Sequence, residues 1–326
     1  MSYSKATLSK ATQLLEIRRN KAQRTQLARH LEVTEKFPVI AEYEAQLSKT
    51  GLEAVKSIGM GKDAKEFIEQ LSHINLSLQQ TIKNILVQNG YPEDYLEIPY
   101  TCKKCGDSGF CGGFVCECRK ELLKELAKKE LASVSASEHC RFDNFDLGYY
   151  PEPVDSNYGI SPQKRMASIL EYCKCYAEDF DTESESLYMH GATGLGKTHL
   201  SLAIANVVAE KGYRVIYDSA QNLLTSLEKE RFSYTNNNER ENEILECDLL
   251  IIDDLGSEFS TQFTTAAIYN IINTRINRSK PVIISTNLTE KEIENKYTQR
   301  VTSRIIGNYV SLLFVGKDIR QIKNKF

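Results

Sequence analysis

Two textures divide this chain. Over residues 4–89 apolar side chains recur at helical spacing, with Leu14, Leu15 and Ile17 followed by Leu27 and Leu31, and Pro38 interrupts the run. A second helix is predicted over 39–58, ending at Gly59 and Gly61. A third is predicted over 63–88, with Asp63 near its start and Gly90 and Pro92 just past its end. After a stretch dense in cysteine and glycine, residues 119–131 read as a charged helix rich in Lys, Glu and Leu.

The second texture begins near residue 140. Short apolar runs, LYMH (187–190), RVIYD (214–218), DLLIID (248–253), PVIIST (281–286) and YVSLLF (309–314), alternate with amphipathic helical stretches. Strands that alternate with helices predict an α/β domain whose parallel sheet is covered on both faces. TNNNERENE (235–243) reads as a polar loop.

Length sharpens this into two domains, because 326 residues exceed an ordinary single core. A mainly helical domain is expected over 1–131 and the α/β domain over 140–326, joined by the small, polar linker ASVSASEH (132–139). A net charge of −3 gives no bulk basic signal, so any nucleic-acid contact must come from a local patch. No run approaches the roughly eighteen apolar residues of a membrane span, and the N-terminus lacks a signal-peptide pattern. The expected location is cytoplasmic, with no membrane partner. The nine cysteines are then mostly reduced thiols, and a cluster of them points to a metal before a disulfide framework.

The most specific chemistry lies in GATGLGKT (191–198), which fits G-x-x-x-x-G-K-[ST] between an apolar strand and a helical run. Gly191, Ala192, Thr193, Gly194, Leu195 and Gly196 form the loop whose N–H groups cradle phosphates. The loop runs into Lys197, Thr198 and His199 at the start of the helix. Lys197 is expected to reach the β- and γ-phosphates of ATP, and Thr198 to offer its hydroxyl to Mg2+. DLLIIDD (248–254) supplies the matching acids: Asp253 for Mg2+, and Asp254 as a base or water-orienting carboxylate. Asn287 ends the strand PVIIST, at the edge where a parallel sheet meets its ligand, and is placed to orient water or touch the γ-phosphate. Arg300 and Arg304 lie four residues apart on one helix face, a solvated pair or a source of charge for a neighbouring subunit's nucleotide. Arg320 is a further candidate for the phosphates of its own chain.

The cysteine-rich stretch YTCKKCGDSGFCGGFVCEC (100–118) holds Cys102 and Cys105 as C-x-x-C, and Cys116 and Cys118 as C-x-C. Four thiolates make a closed tetrahedral Zn2+ site, structural in kind, which stabilises a segment too small to build its own core. Cys111 lies in the same loop and competes for a ligand position, as do His73 and His139. A redox role is disfavoured because no thioredoxin-like βαβ pattern surrounds the motif. The basic stretch 16–30 is either a solvated face or a helix docking through Leu14, Leu15, Ile17 and Leu27.

GATGLGKTHL, LLIIDDLG, IISTNL, RVTSRI and GKDIR, in this order, resemble the AAA+ ATPases, and among them the bacterial replicative helicase loaders of the DnaC/DnaI type. The resemblance runs from RFDNFDL (141–147) to GKDIR (316–320), more than half of the chain. It implies an AAA+ P-loop fold and ATP hydrolysis. It assigns Asn287 as sensor 1, Arg304 as arginine finger with Arg300 beside it, and Arg320 as sensor 2, and it places 141–147 along the adenine. The implied partners are a ring-shaped hexameric replicative helicase, gripped by a zinc-containing N-terminal domain, single-stranded DNA, and further copies of the chain. One departure stands out: Asp254 occupies a position where the family usually has Glu, and the shorter acid implies slow hydrolysis. DNA contacts would fall on Lys, Arg and aromatic side chains such as Phe232. Transposition helper ATPases share the same motifs but generally lack the cysteine module. A small-molecule kinase shares the P-loop but needs an acceptor pocket and an arginine-rich lid.

Overall fold

A computed structural model describes residues 3, 5–57, 64–132, 139–156, 158–232 and 238–323. Gly59, Gly61, Asp63 and most of the expected linker fall outside them. The chain forms two compact units, one of Thr12–Arg119 and one of Met1–Ala11 with Lys120–Phe326. Among the described residues no helix is long and apolar enough to cross a membrane.

The Thr12–Arg119 unit is built on helices α1 (Lys5–Lys36, in part), α2 (Pro38–Ser57) and α3 (Ala64–Gln88). The proline that interrupts the first helix opens the second, where its missing N–H costs no hydrogen bond. Val33, Ile40, Ile82 and Leu86 form a small core, with Phe37, Tyr91 and Tyr95 packed against it. Glu32 fastens the loop after α3 by accepting from both Tyr91 and Tyr95 hydroxyls at 3.0 Å. The four apolar residues singled out on α1 do not share a face: Leu15 is buried, whereas Ile17 and Leu27 are exposed. A short hairpin follows, β1 (Phe110–Cys111) and β2 (Phe114–Val115), and α4 (Glu117–Ala132) comes after it. Its two-residue turn is Gly112–Gly113, with φ of 56° and 85°, a left-handed pair that favours glycine and matches the twist of a tight hairpin.

The larger unit carries a five-stranded parallel sheet of β3 (Ser186–His190), β4 (Val215–Ser219), β5 (Leu249–Asp253), β6 (Val282–Thr286) and β7 (Tyr309–Leu313) in the order β4-β5-β6-β3-β7. Each predicted apolar run became one strand, with ends shifted by a residue at most. Alternation along the strands sends side chains to two cores. Leu187, Met189, Leu249, Ile251 and Ile283 meet α5 (Pro162–Asp179) and α6 (Lys197–Glu210) on one face. Tyr188, Leu250, Ile252, Val282 and Ile284 meet the other helices: α7 (Ala220–Arg231), α8 (Glu239–Glu246), α9 (Gln262–Asn277), α10 (Glu290–Tyr297) and α11 (Gln299–Asn308). A short α12 (Ile319–Lys323) follows β7.

Helix α8 corrects the polar-loop reading of 235–243 from Glu239 onward. Its polar face is engaged by ion pairs of Arg240 with Asp218 and of Glu243 with Arg214, both at 3.1 Å, and Ile244 and Leu245 are buried. The C-terminal end of α8 meets Arg275, which is 0% exposed. Its guanidinium donates to the carbonyls of Ile244 (2.8 Å), Cys247 (3.0 Å) and Pro281 (2.8 Å), so a full charge sits at a helix C-terminus where carbonyls converge. Arg275→Ala strands those carbonyls and opens a cavity. Urea unfolding of the α/β unit is expected to lose roughly 3–5 kcal/mol of stability.

Candidate functional site

Strand β3 and helix α6 are joined by the glycine loop 191–196, and the helix begins at Lys197 without a turn to spare. Gly194 has φ 74°, and a Cβ there would fall 1.9 Å from the Asp318 carboxylate. A side chain at 194 would therefore displace the Asp318 carboxylate from the loop, and the left-handed backbone there favours glycine. Ile319 N–H donates to the Gly194 carbonyl at 3.0 Å, and the Asp318 carboxylate accepts from Arg320 N–H at 2.9 Å. These bonds set Arg320 at the rim of the phosphate loop.

A cavity of about 490 Å3 opens along this loop. It brings together Thr193–His199, Asp253, Asp254, Asn287 and Arg320, residues scattered over more than a hundred positions of sequence. Residues 144–150 close one side. Phe145 and Tyr150 stack at 5.7 Å, and the Tyr150 hydroxyl donates to the Leu195 carbonyl at 2.9 Å. His199 packs edge-on against Phe145 and is hydrogen-bonded at 2.8 Å to the Arg141 carbonyl, so it ties the lead-in segment to α6. Phe145, Tyr149 and Tyr150 thus line the cavity beside the phosphate loop. Cys140 also lines the cavity.

Lys197 is nearly buried, and its ammonium donates to the Gly191 and Ala192 carbonyls, both at 2.7 Å. Burial pulls its pKa down, opposed by Asp254 and Asp253. An ammonium held by two neutral carbonyls gains by exchanging them for phosphate oxygens. Asp253 ends β5 and is 7% exposed. Its carboxylate accepts from Thr198 (2.9 Å), from Tyr217 (2.6 Å) and from Ser285. Thr198 and Asp253 together present hard oxygen donors of the kind Mg2+ prefers, beside the loop that would hold phosphates. Asp254 is exposed and stands in the left-handed region at φ 55°, its N–H donating to Ser285 at 2.9 Å.

Arg300 and Arg304 are not brought to this cavity. Arg304 donates through Nε to Asn273 at 2.7 Å and lies 4.7 Å over the Tyr269 ring, and Arg300 lines a separate hydroxyl-rich hollow with Thr261, Tyr269 and Thr298. Tyr217, Ser285 and Tyr150 were missed by sequence reasoning. Strand parity was the available signal for the first two, because Ser219 and Ser285 flank Asp253 in the register and Tyr217 shares the face of Ser219.

In the Thr12–Arg119 unit the sulfurs of Cys102, Cys105, Cys116 and Cys118 lie within 4.8 Å of one another. A tetrahedron of thiolates around one zinc sets sulfurs about 3.8 Å apart, so the four side chains fit such an ion. Asp107, 2% exposed, accepts from the N–H groups of Thr101 (2.9 Å) and Cys102 (2.8 Å) and fixes the first knuckle. The Cys111 sulfur turns instead to the Lys104 carbonyl at 3.4 Å. Neither His73 nor His139 belongs to the cluster.

Behind Asp254, Glu258 is 3% exposed. Its carboxylate accepts from the Gly256 N–H (2.9 Å), pairs with Lys296 (3.2 Å) and accepts from the Tyr297 hydroxyl. Lys296 also donates to the Gly256 and Glu258 carbonyls, both at 2.6 Å.

Residues 155–307 match the family of IstB-like ATP binding proteins. The chain is 27% identical over 187 residues to the replicative helicase loader DnaC of Buchnera aphidicola subsp. Acyrthosiphon pisum, which covers 56% of this chain and 70% of that protein. It is 29% identical over 169 residues to the DnaC loader of Buchnera aphidicola subsp. Schizaphis graminum, covering 51% and 68%. A crystal structure of the DnaC helicase loader aligns over 56% of this chain and all of that one, at 23% identity and a TM-score of 0.48. Lys197→Ala removes the ammonium held by the phosphate loop. It is expected to weaken ATP binding by roughly 2–3 kcal/mol, about 30- to 150-fold, in a calorimetric titration.

Proposed function

We propose, for a chain whose residues 155–307 form an IstB-like ATP-binding domain, that it loads a ring-shaped replicative DNA helicase onto single-stranded DNA at the expense of ATP. In this reading the α/β domain works as an AAA+ ATPase domain. The observation that carries it is the joint occurrence, in one chain similar to DnaC loaders, of an assembled phosphate site and a four-thiol module in a separate compact unit.

In this reading Lys197 leaves its two carbonyl partners for the β- and γ-phosphates. Thr198 and Asp253 hold Mg2+, which when bound supplies charge neutralisation at the transferred phosphate. Asp254 and Asn287 orient the attacking water from the ends of adjacent strands, and Arg320 meets the phosphates from α12. Arg304 serves the nucleotide of a neighbouring copy. Its Nε bond to Asn273 and its stacking on Tyr269 aim the guanidinium without neutralising it. Cys102, Cys105, Cys116 and Cys118 hold a structural Zn2+ in the helicase-gripping unit.

The IstB-like match favours a second reading, a transposition helper ATPase. The two separate in native mass spectrometry of the full chain mixed with the replicative helicase of the same cell, with and without ATP. A stoichiometric complex supports the loader; its absence under every nucleotide condition moves the function to transposition. For the metal, elemental analysis is expected to give one zinc per chain. Cys105→Ser loses most of it and Cys111→Ser keeps it, and retention by Cys105→Ser would contradict the four-thiol assignment.

A further inference from the structure

The buried carboxylate of Asp253 is held by three hydroxyls from three different elements: Thr198 on α6, Tyr217 on β4 and Ser285 on β6. Only the first belongs to the phosphate loop. Asp253 pairs with Ser219 in the β4 register, and Tyr217, two residues earlier, lies on the same face of the sheet. Ser285 stands beside Asp253 on β6, one step past the Ile252–Ile284 pair. Both hydroxyls thus reach the carboxylate from strands rather than loops, which is how a side chain is held to within a fraction of an ångström.

We infer that Tyr217 and Ser285 are positioning residues for the divalent cation, and that Ser285 also fixes the carboxylate next in line. The inference rests on the ATP and Mg2+ reading of the site given above. When Thr198 turns a lone pair toward a cation, its hold on Asp253 changes, and the two strand hydroxyls keep the carboxylate plane where it was. Tyr217 donates to one oxygen and Ser285 to the other, so together they oppose rotation about the carboxyl bond. Partners of this kind, one shell out from a metal, tune affinity by about 10- to 100-fold.

Ser285 does a second job with the same oxygen. While its hydroxyl hydrogen goes to Asp253, a lone pair accepts the Asp254 N–H at 2.9 Å. Asp254 occupies a left-handed backbone conformation, φ 55°, uncommon for non-glycine residues although Asp is among those that enter it most readily. That peptide aims the Asp254 side chain, so one serine sets both the carboxylate proposed for the cation and the carboxylate proposed for the water. With the acid one methylene shorter than Glu, the aim depends more heavily on the backbone that carries it.

The two residues therefore fail differently when altered. A fluorescent ATP analogue is titrated onto the full chain over a range of free Mg2+, and turnover is measured at saturating Mg2+. Tyr217→Phe removes a single oxygen and is expected to raise the Mg2+ concentration for half-maximal binding about 5- to 10-fold. Ser285→Ala is expected to raise it similarly and, in addition, to turn over about 10-fold more slowly than Tyr217→Phe at saturating Mg2+. Ser285→Thr keeps the hydroxyl and restores both. Melting of the metal-free chains reports that each variant is folded. Variants whose Mg2+ dependence matches the wild type, or a Ser285→Ala that turns over as fast as Tyr217→Phe, overturn the inference while leaving the ATPase reading intact. A wild-type chain that binds no nucleotide at any Mg2+ concentration overturns that reading and the inference with it.

Discussion

A carboxylate that is 7% exposed at the end of an apolar strand has to be met by donors, because a bare buried charge is far too costly to keep. Asp253 is that carboxylate, and much of the α/β unit is arranged around the requirement. It asks for a hydroxyl on each flanking strand and one on the helix above. The register in which β4, β5 and β6 end together supplies the two strand hydroxyls, and α6 supplies the third. The phosphate loop, the aromatic wall and Arg320 gather at the same edge because parallel strands finish there in a common plane.

The α/β domain was largely legible in the sequence because its signals are local. Five apolar runs, a glycine loop in front of a helix and two acids behind a strand all lie within a few neighbouring positions. What escaped reading was non-local. Tyr217 and Ser285 look like ordinary strand residues until register sets them beside Asp253. Arg275 reads as one more helical arginine, although the carbonyls of Ile244 and Cys247, about thirty residues away, and of Pro281, six residues on, enclose it. Helix α8 hid inside a polar composition because its stability comes from two buried side chains and two ion pairs, rather than from periodicity.

In the Thr12–Arg119 unit the balance is reversed. The four-thiol cluster could be named from spacing alone, and Cys111 was separated from it only by geometry, its sulfur turned to a carbonyl. The apolar positions of α1 misled, since helical spacing over so long a run says which residues are neighbours and not which face is covered. Leu15 goes inward and Ile17 outward within half a turn. A metal held by the four thiols would stabilise the glycine-rich stretch that carries them, as short cysteine-bearing segments generally require.

The Glu258 cluster has a mechanical meaning. Lys296 clamps two carbonyls of the loop behind Asp254, and the same loop's glutamate takes the hydroxyl of Tyr297. One residue further on the chain reverses through Thr298 at φ 97°, and α11 begins. The segment after Asp254 and the helix that carries Arg300 and Arg304 are thus both anchored on α10, the first through the Glu258 and Lys296 contacts and the second by direct continuation of the chain.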